Sequence, residues 1–248
     1  MSGIYERELL LGSEHVDCFR RLRTSTLMEL LQTASIRHTE ELGMGREKTL
    51  DRGLLWVIAR QHVIIERWPV YDERIIIRSW PGETMRVLFP RYYEIASAAD
   101  GSVLVKGSAV WSLMDMETRT TAFPDEYGVE IEGVETGREI PFLTRLTALE
   151  TTESRGFTVP YSYVDINGHM NNTRYFDLVE DSIGAAAEGR GLREIQTEYS
   201  AEAPLGCTLR LDWGEAENRY YITGREDGGE HPCFRMNLQY MQPVSREP

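Results

Sequence analysis

The chain has 248 residues, of which 41% are hydrophobic and 27% charged, and its formal net charge at pH 7 is -13. That composition is ordinary for a globular protein with one large domain or two average ones, and it argues against intrinsic disorder. The acidic balance argues against general binding to nucleic acid or to anionic membranes, which requires a basic surface.

The sequence indicates neither membrane insertion nor disulfide formation. The apolar runs are far shorter than the ~20 residues of a membrane span, so we expect no membrane span. The polar, charged start resembles neither a secretory signal nor a transit peptide, so we expect a cytoplasmic protein. Cys18, Cys207 and Cys233 are far apart, and this spacing predicts neither a disulfide nor a zinc site.

The first predicted element is an amphipathic helix after Arg23. Leu27, Leu30, Leu31 and Ala34 recur at the three- and four-residue spacing of one buried helical face. A capping box of Thr26 and Glu29 would start the helix, and Gly43 would end it. Runs rich in Val, Ile, Tyr and Trp then predict strands at residues 54–66, 74–80, 87–97 and 103–115.

The second half of the chain repeats this order. A helix capped by Asn172 or Thr173 and ended by Gly189 would bury Tyr175, Leu178, Val179 and Ile183. The strands predicted after it cover residues 195–203, 207–213, 218–224 and 234–241.

The repetition is also visible residue by residue. Without gaps, Asp17 aligns with Asp165 and Leu22 with Met170, an offset of 148 residues. The tripeptide Arg-Tyr-Tyr occurs at residues 91–93 and again at 219–221, each time before an Asp-Gly turn. We therefore predict an α+β protein built from two copies of an antiparallel sheet wrapped around a central helix. The first copy would span residues 1–135, a linker 136–152 and the second copy 153–248, forming a monomeric pseudo-dimer or a homodimer.

The two copies differ in one polar segment. Asp165, Asn167 and His169 alternate in the second copy, whereas the first keeps Asp17 but has Phe19 and Arg21 at the other two positions. A carboxylate or an imidazole can deprotonate water, and an amide together with N–H groups at a helix start can hold an oxyanion. The chain lacks the signatures of serine hydrolases, zinc proteases and nucleotide-binding loops. The segment therefore favours hydrolysis of an activated acyl group by water, with no cofactor and no metal.

The basic cluster of Arg20, Arg21 and Arg23 is interpreted as a solvated face rather than a carrier-protein dock.

The segment Asp165-x-Asn167-x-His169, followed by a helix, resembles the catalytic segment of acyl-ACP thioesterases, the enzymes that release fatty acids from acyl carrier protein. The resemblance extends in order to residues 55–63, 68–69 and 198–202 and so covers nearly the whole chain. It implies a double hotdog fold. Because the polar segment lies in the second copy, we expect the first copy to form a wall of the acyl pocket. The implied partner is acyl carrier protein bearing a fatty acyl-phosphopantetheine. By motif match Asp165, Asn167 and His169 inherit catalytic roles, and Glu202 would be the fourth member of the site.

One position departs from the plant members of that family. They usually have a cysteine after the glutamate, where this chain has Ala203, and Cys207 is wrongly placed to replace it. A plastid-targeting extension is also missing, which favours a bacterial-type cytoplasmic enzyme of fatty acid biosynthesis.

The mechanism expected from these residues is attack by water on the thioester. Glu202 and His169 would activate the water, Asn167 would polarise the carbonyl, and Asp165 would orient His169 or Asn167. Direct attack by a carboxylate through an anhydride is the alternative. Two rival functions stand beside this one: an acyl-CoA thioesterase of the same fold and a non-catalytic acyl-binding hotdog protein.

Overall fold

A computed structural model describes residues 3–141, 146–185 and 188–241. The chain divides into two compact units, Met1–Leu143 and Thr144–Pro248. Part of the predicted linker, residues 142–145, lies outside the described residues, as does the end of the second copy after residue 241. In the described part of the chain no helix is both long and apolar enough to cross a membrane.

The first unit is an antiparallel sheet with one long helix. The sheet follows the order β1-β3-β4-β5-β2. The strands are β1 Tyr5–Leu10, β2 Leu54–Ile65, β3 Arg74–Pro81, β4 Leu88–Ser97 and β5 Val103–Asp115, and the helices are α1 Thr24–Glu41 and the short α2 Pro124–Tyr127.

Helix α1 packs one face against β3 and β1. Leu27, Leu31 and Ala34 are buried as predicted, whereas Met28 rather than Leu30 completes the buried face. The predicted capping box is wrong, because the helix already begins at Thr24 and its N-cap residue is Arg23. Thr26 and Glu29 therefore lie inside the helix and not at its start.

The second unit repeats the same topology. Its sheet has the order β6-β8-β9-β10-β7, strand for strand the order of the first unit. The elements are β6 Glu153–Thr158, α3 Arg174–Ile183, β7 Leu192–Tyr199, β8 Thr208–Ala216, β9 Arg219–Glu226 and β10 Pro232–Tyr240. The predicted α+β class and the eight predicted strands are confirmed, with ends displaced by up to four residues.

The sequence missed β1, β6 and the short α2. Strands β1 and β6 are largely exposed, so they carry no apolar alternation from which a strand is predicted. Helix α3 is also shorter than predicted, because it ends at Gly184 with φ 72 and not at Gly189. A left-handed residue at this place stops the helix, and glycine adopts that conformation most readily.

The alignment at an offset of 148 residues is confirmed by matching elements. Strands Tyr5–Leu10 and Glu153–Thr158 are related by that offset, and so are the short 3-10 turns Ser13–His15 and Tyr161–Tyr163.

The echo of Arg-Tyr-Tyr, by contrast, is one residue out of structural register. Tyr93 is fully buried whereas Tyr221 is half-buried, and the neighbours Tyr92 and Tyr220 show the opposite pattern. A shift of one residue in a strand exchanges its two faces. The two tripeptides are therefore alike in sequence but not equivalent in the fold.

Candidate active site

The segment from Asp165 to His169 forms a tight turn. The N–H of Asp165 donates to the carbonyl of His169 at 3.0 Å, and the N–H of Gly168 donates to the carbonyl of Asp165 at 3.0 Å. Oδ1 of Asp165 accepts the N–H of Asn167 at 2.8 Å, which is an Asx turn. Gly168 has φ 81, a conformation that favours glycine. The carboxylate of Asp165 thus holds the backbone that positions Asn167 and His169.

Glu202 reaches this turn because β7 ends early. The N–H groups of Ser200 and Ala201 both donate to the carbonyl of Cys233, at 2.7 and 3.1 Å. Two donors on one acceptor interrupt the regular ladder, and the chain leaves the sheet there. The predicted strand 195–203 was therefore too long at its end, and Glu202 lies in the segment that follows the strand.

A second contact brings Glu202 to His169. The N–H of Met170 donates to the carbonyl of Ala203 at 2.8 Å, and His169 forms a β-bridge with Pro204. Nε2 of His169 is 3.4 Å from Oε2 of Glu202, and the two side chains are 24% and 36% exposed. This is an ion-pair distance rather than a short hydrogen bond. Both groups remain accessible to a substrate or to water.

Asn167 lies exposed at the tip of the same turn. Its side-chain amide makes no hydrogen bond to any residue in the described ranges. The structure therefore brings Asp165, His169 and Glu202 together and adds an amide whose donors are unused within this part of the chain.

The start of α3 provides fewer N–H groups for binding an oxyanion than the sequence suggested. Oδ1 of Asn171 accepts both the N–H and the hydroxyl of Thr173, at 2.9 and 2.8 Å. The carbonyl of Asn171 accepts the N–H of Arg174 at 2.9 Å. Thr173 is the N-cap residue but makes no side-chain cap hydrogen bond. The capping side chain is therefore that of Asn171 and not that of Asn172 or Thr173, and these N–H groups are already engaged.

Two tyrosines to which the sequence analysis assigned no role in the site support this segment. The hydroxyl of Tyr199 donates to the carbonyl of Asn172 at 3.2 Å, and its ring centroid lies 5.8 Å from that of Tyr175. Burial raises the pKa of both phenols, so both stay protonated at neutral pH. Their only sequence signal was an aromatic residue at a core position, which is ordinary in any hydrophobic core.

The cysteines do not supply a nucleophile at this turn. Ala203, at the position where the plant enzymes have cysteine, is completely buried. Burial raises the pKa of the Cys207 thiol, and Glu226 raises it further. A thiol with a raised pKa is protonated at neutral pH and is a weak nucleophile.

The first unit contains the same turn without the same chemistry. The N–H of Asp17 donates to the carbonyl of Arg21 at 2.7 Å, and Oδ1 of Asp17 accepts the N–H of Phe19 at 2.9 Å. Oδ2 of Asp17 accepts Nε and Nη2 of Arg21, at 3.1 and 2.9 Å. An ion pair thus occupies the place that His169 has in the second unit.

The position equivalent to Glu202 also differs in the first unit. The N–H of Leu22 donates to the carbonyl of Pro69 at 2.8 Å, as that of Met170 does to Ala203. Trp68, which precedes Pro69, therefore stands where the second unit has Glu202, and it is 8% exposed. The first unit has neither the imidazole nor the carboxylate.

Two tandem sheet-and-helix units with the same strand order define a double hotdog protein. The fold matches the crystal structure of an acyl-ACP thioesterase from Bacteroides thetaiotaomicron VPI-5482, with a TM-score of 0.82, 23% identity and coverage of 97% of this chain and 100% of that one. It also matches the 12:0-ACP thioesterase from Umbellularia californica, with a TM-score of 0.81, 20% identity and coverage of 97% and 98%. The double hotdog expectation is confirmed.

The sequence itself identifies the family. Residues 3–131 match the family model of the acyl-ACP thioesterase N-terminal domain, and residues 146–231 match that of the C-terminal domain. The chain therefore belongs to the acyl-ACP thioesterase family. It is 24% identical over 251 residues to the chloroplastic palmitoyl-acyl carrier protein thioesterase of Cuphea hookeriana, a match that covers 92% of this chain and 60% of the relative. The chain thus spans about 60% of the length of that curated relative.

Proposed function

We propose that this chain hydrolyses the thioester of fatty acyl-acyl carrier protein, releasing a free fatty acid and ending chain elongation. The observation that carries the proposal is the pair of His169 and Glu202, 3.4 Å apart, with the exposed amide of Asn167 on the same turn as His169. The duplicated turn of the first unit has none of the three groups. Membership of the acyl-ACP thioesterase family supports the choice of an acyl carrier protein as partner.

In the proposed reaction, His169, assisted by Glu202, takes a proton from a water molecule while the oxygen of that water attacks the thioester carbonyl carbon. The side-chain N–H of Asn167 donates to the carbonyl oxygen as negative charge develops on it. The C–S bond then breaks, and the imidazolium returns its proton to the departing pantetheine sulfur. The products are a fatty acid and a free thiol, so atoms and charge balance.

The role assigned to Asp165 is to position the other groups. Its Oδ1 bond to the N–H of Asn167 holds the turn on which both Asn167 and His169 lie. A second route, in which a carboxylate attacks the thioester to form an anhydride, uses the same residues. Incorporation of ¹⁸O from labelled water into a protein carboxylate during turnover would identify the anhydride route, since direct attack by water leaves the carboxylates unlabelled.

The proposal is tested by turnover of acyl-acyl carrier protein by single-residue variants. His169→Ala, Asn167→Ala and Glu202→Gln should each lower kcat by roughly 10²- to 10⁴-fold, the usual loss of a positioned acid, base or oxyanion donor. His231→Ala and Glu230→Gln are matched controls, since both side chains are exposed in the same unit and outside the turn. Near-full activity of His169→Ala would refute the assigned site.

The partner and the compartment belong to the same proposal. Matched acyl-acyl carrier protein and acyl-CoA donors, compared by kcat/KM, test the carrier, and a strong preference for CoA would replace this function with its first rival. Retained acyl binding without turnover of either donor would indicate a binding protein. We also propose a cytoplasmic location, supported by three free cysteines of the kind that reducing compartments maintain.

A further inference from the structure

The first unit contains a shallow cavity, widely open to solvent, beside its own copy of the turn. The cavity has a volume of about 530 Å³, and Asp17, Cys18, Arg20, Arg23 and Tyr71 are among the residues that line it. It is therefore at the place that corresponds, in the duplicated fold, to the proposed active site of the second unit. Its lining contains two arginines, in a chain whose net charge is -13.

The acidic group of this cavity is already neutralised. Oδ2 of Asp17 accepts two bonds from the Arg21 guanidinium, and Oδ1 accepts the N–H groups of Phe19 and Arg21, both at 2.9 Å. These four N–H donors use the acceptor capacity of the carboxylate. Asp17 and Arg21 form a closed pair, so the cavity keeps the positive charge of Arg20 and Arg23.

The backbone conformation at position 20 is unfavourable for an arginine. Its φ is 62, and the residue at the equivalent position of the second unit is Gly168 with φ 81. A side chain in this left-handed conformation is disfavoured, whereas glycine is not. The guanidinium of Arg20 makes no hydrogen bond or ion pair with the rest of the described chain. Within the described residues, therefore, no side-chain hydrogen bond or ion pair of Arg20 offsets the strain.

Arg23 is unfavourable for the helix that it begins. It is the N-cap residue of α1 and makes no side-chain cap bond, whereas the equivalent Asn171 caps the start of α3. A helix N-terminus carries partial positive charge, so a cation there is repelled. Arg23 is exposed, and its guanidinium also has no partner among the described residues.

Two arginines without a side-chain partner among the described residues thus line one cavity, and Arg23 directly precedes the 18-residue helix α1. At both arginine positions the second unit has a residue that suits the local structure better. We propose that this cavity is a second, non-catalytic site that binds the phosphate of a pantetheine-linked ligand. Arginine forks pair with phosphate oxygens, and helix starts favour the same anion. The choice of a pantetheine-linked phosphate rests on the proposed function, whereas the phosphate site itself does not.

Cys18 lines the cavity and is exposed, so its rate of alkylation by iodoacetamide reports occupancy. Alkylation of free N-acetylcysteine in the same solution is the reference. The probes are S-ethyl coenzyme A, S-ethyl pantetheine, inorganic phosphate and carrier protein alkylated on its pantetheine thiol. None of them carries a thiol on the pantetheine arm or a thioester that could be hydrolysed. S-ethyl coenzyme A or the alkylated carrier protein should slow alkylation of Cys18, while S-ethyl pantetheine should not.

The test variants are Arg20→Gly and Arg23→Asn, which install the residues of the second unit and should fold at least as well. Each substitution should raise the dissociation constant of the protecting ligand by about tenfold or more, as expected for loss of one charge-assisted hydrogen bond. Arg7→Gln removes one exposed, unpaired arginine of β1 outside the cavity and should change nothing.

Equal protection of Cys18 in the wild type and in a variant that combines Arg20→Gly with Arg23→Asn would overturn the site. Equal protection by S-ethyl pantetheine would show that phosphate is not what is recognised. Protection by inorganic phosphate alone would refute the pantetheine-linked ligand. Turnover of acyl-acyl carrier protein, measured separately, tests the catalytic proposal, so the two can fail independently.

Discussion

The two aspartates that open the duplicated turns show how one neighbour decides what a carboxylate does. Each accepts an N–H two residues later, at 2.9 Å for Asp17 and 2.8 Å for Asp165. In the first unit Arg21 also bonds the second oxygen of Asp17. In the second unit the equivalent side chain is the imidazole of His169, which contacts Glu202 instead. The first unit has a cation, Arg21, where the second has a base, His169. This one difference makes the first turn a closed ion pair and the second a candidate site of proton transfer.

A carboxylate of structural importance lies on β8. Asp212 is 6% exposed and bonds Nε of Arg210 at 3.0 Å and Nη2 of Arg225 at 2.5 Å. Burial alone would raise the pKa of Asp212, but hydrogen bonds from Ser154 and the two arginines outweigh it and lower the pKa. A folded pKa below the unfolded value of about 3.9 stabilises the protein above that pH. The stabilisation is lost as the pH falls through the folded pKa.

Asp212→Asn should therefore lower the free energy of unfolding by about 1–2 kcal/mol at pH 7, a modest value because both arginines are partly exposed. Urea denaturation at pH 7 and at pH 3 measures the change. The difference from wild type should shrink at pH 3. Asp227→Asn, exposed at a hairpin turn, is the control. An equal loss at both pH values would contradict the linkage.

At the scale of elements, a chain of buried polar contacts joins α1 to the first sheet. Nε1 of Trp111 donates to the hydroxyl of Tyr93 at 3.3 Å, which lies 2.7 Å from Oγ of Ser35. The Ser35 hydroxyl donates in turn to the carbonyl of Leu31 at 3.2 Å. Tyr93 is completely buried, so water cannot replace a missing member.

Tyr93→Phe should lower the free energy of unfolding by about 1–3 kcal/mol, because the Trp111 N–H and Ser35 lose a buried partner. Chemical denaturation measures the loss. Tyr92→Phe is the matched control on the same strand, since Tyr92 is half-buried, and it should change stability by less than about 0.5 kcal/mol. Equal effects of the two substitutions would show that the hydroxyl of Tyr93 is not energetically important.

How far the sequence predicts these elements depends on what each one buries. The eight strands with apolar faces were found, while β1 and β6 escaped because their side chains are mostly exposed. The residues of the turn were found from residue type and spacing. What places Glu202 beside His169 is the early end of β7 at Tyr199, which depends on two N–H groups sharing the carbonyl of Cys233. Such a contact between distant segments leaves no periodic signal in the sequence.

At the scale of the whole molecule, the duplicated chain should have one active site and not two. The first unit has Phe19, Arg21 and Trp68 at the positions of Asn167, His169 and Glu202. Phe19→Asn with Arg21→His, introduced into a His169→Ala background, should therefore not restore turnover, since Trp68 supplies no carboxylate. Steady-state assays of acyl-acyl carrier protein hydrolysis test this. Recovery to within tenfold of wild type would show that the first unit retains a competent site.

Strands β1 and β6 stand at one end of the sheet order in each unit, and both carry charged side chains. In β1 these are Glu6, Arg7 and Glu8, and in β6 they are Glu153 and Arg155. Unpaired edge strands can recruit further strands, and charges on them oppose it. Glu6 and Glu8 also pair with Arg78 and Arg74 of β3, at 2.7 and 2.8 Å. Acidification that neutralises these carboxylates would break both pairs and leave Arg7 and Arg155 as the charged residues of the two edges, so resistance to edge-to-edge aggregation is itself a pH-dependent property of the fold.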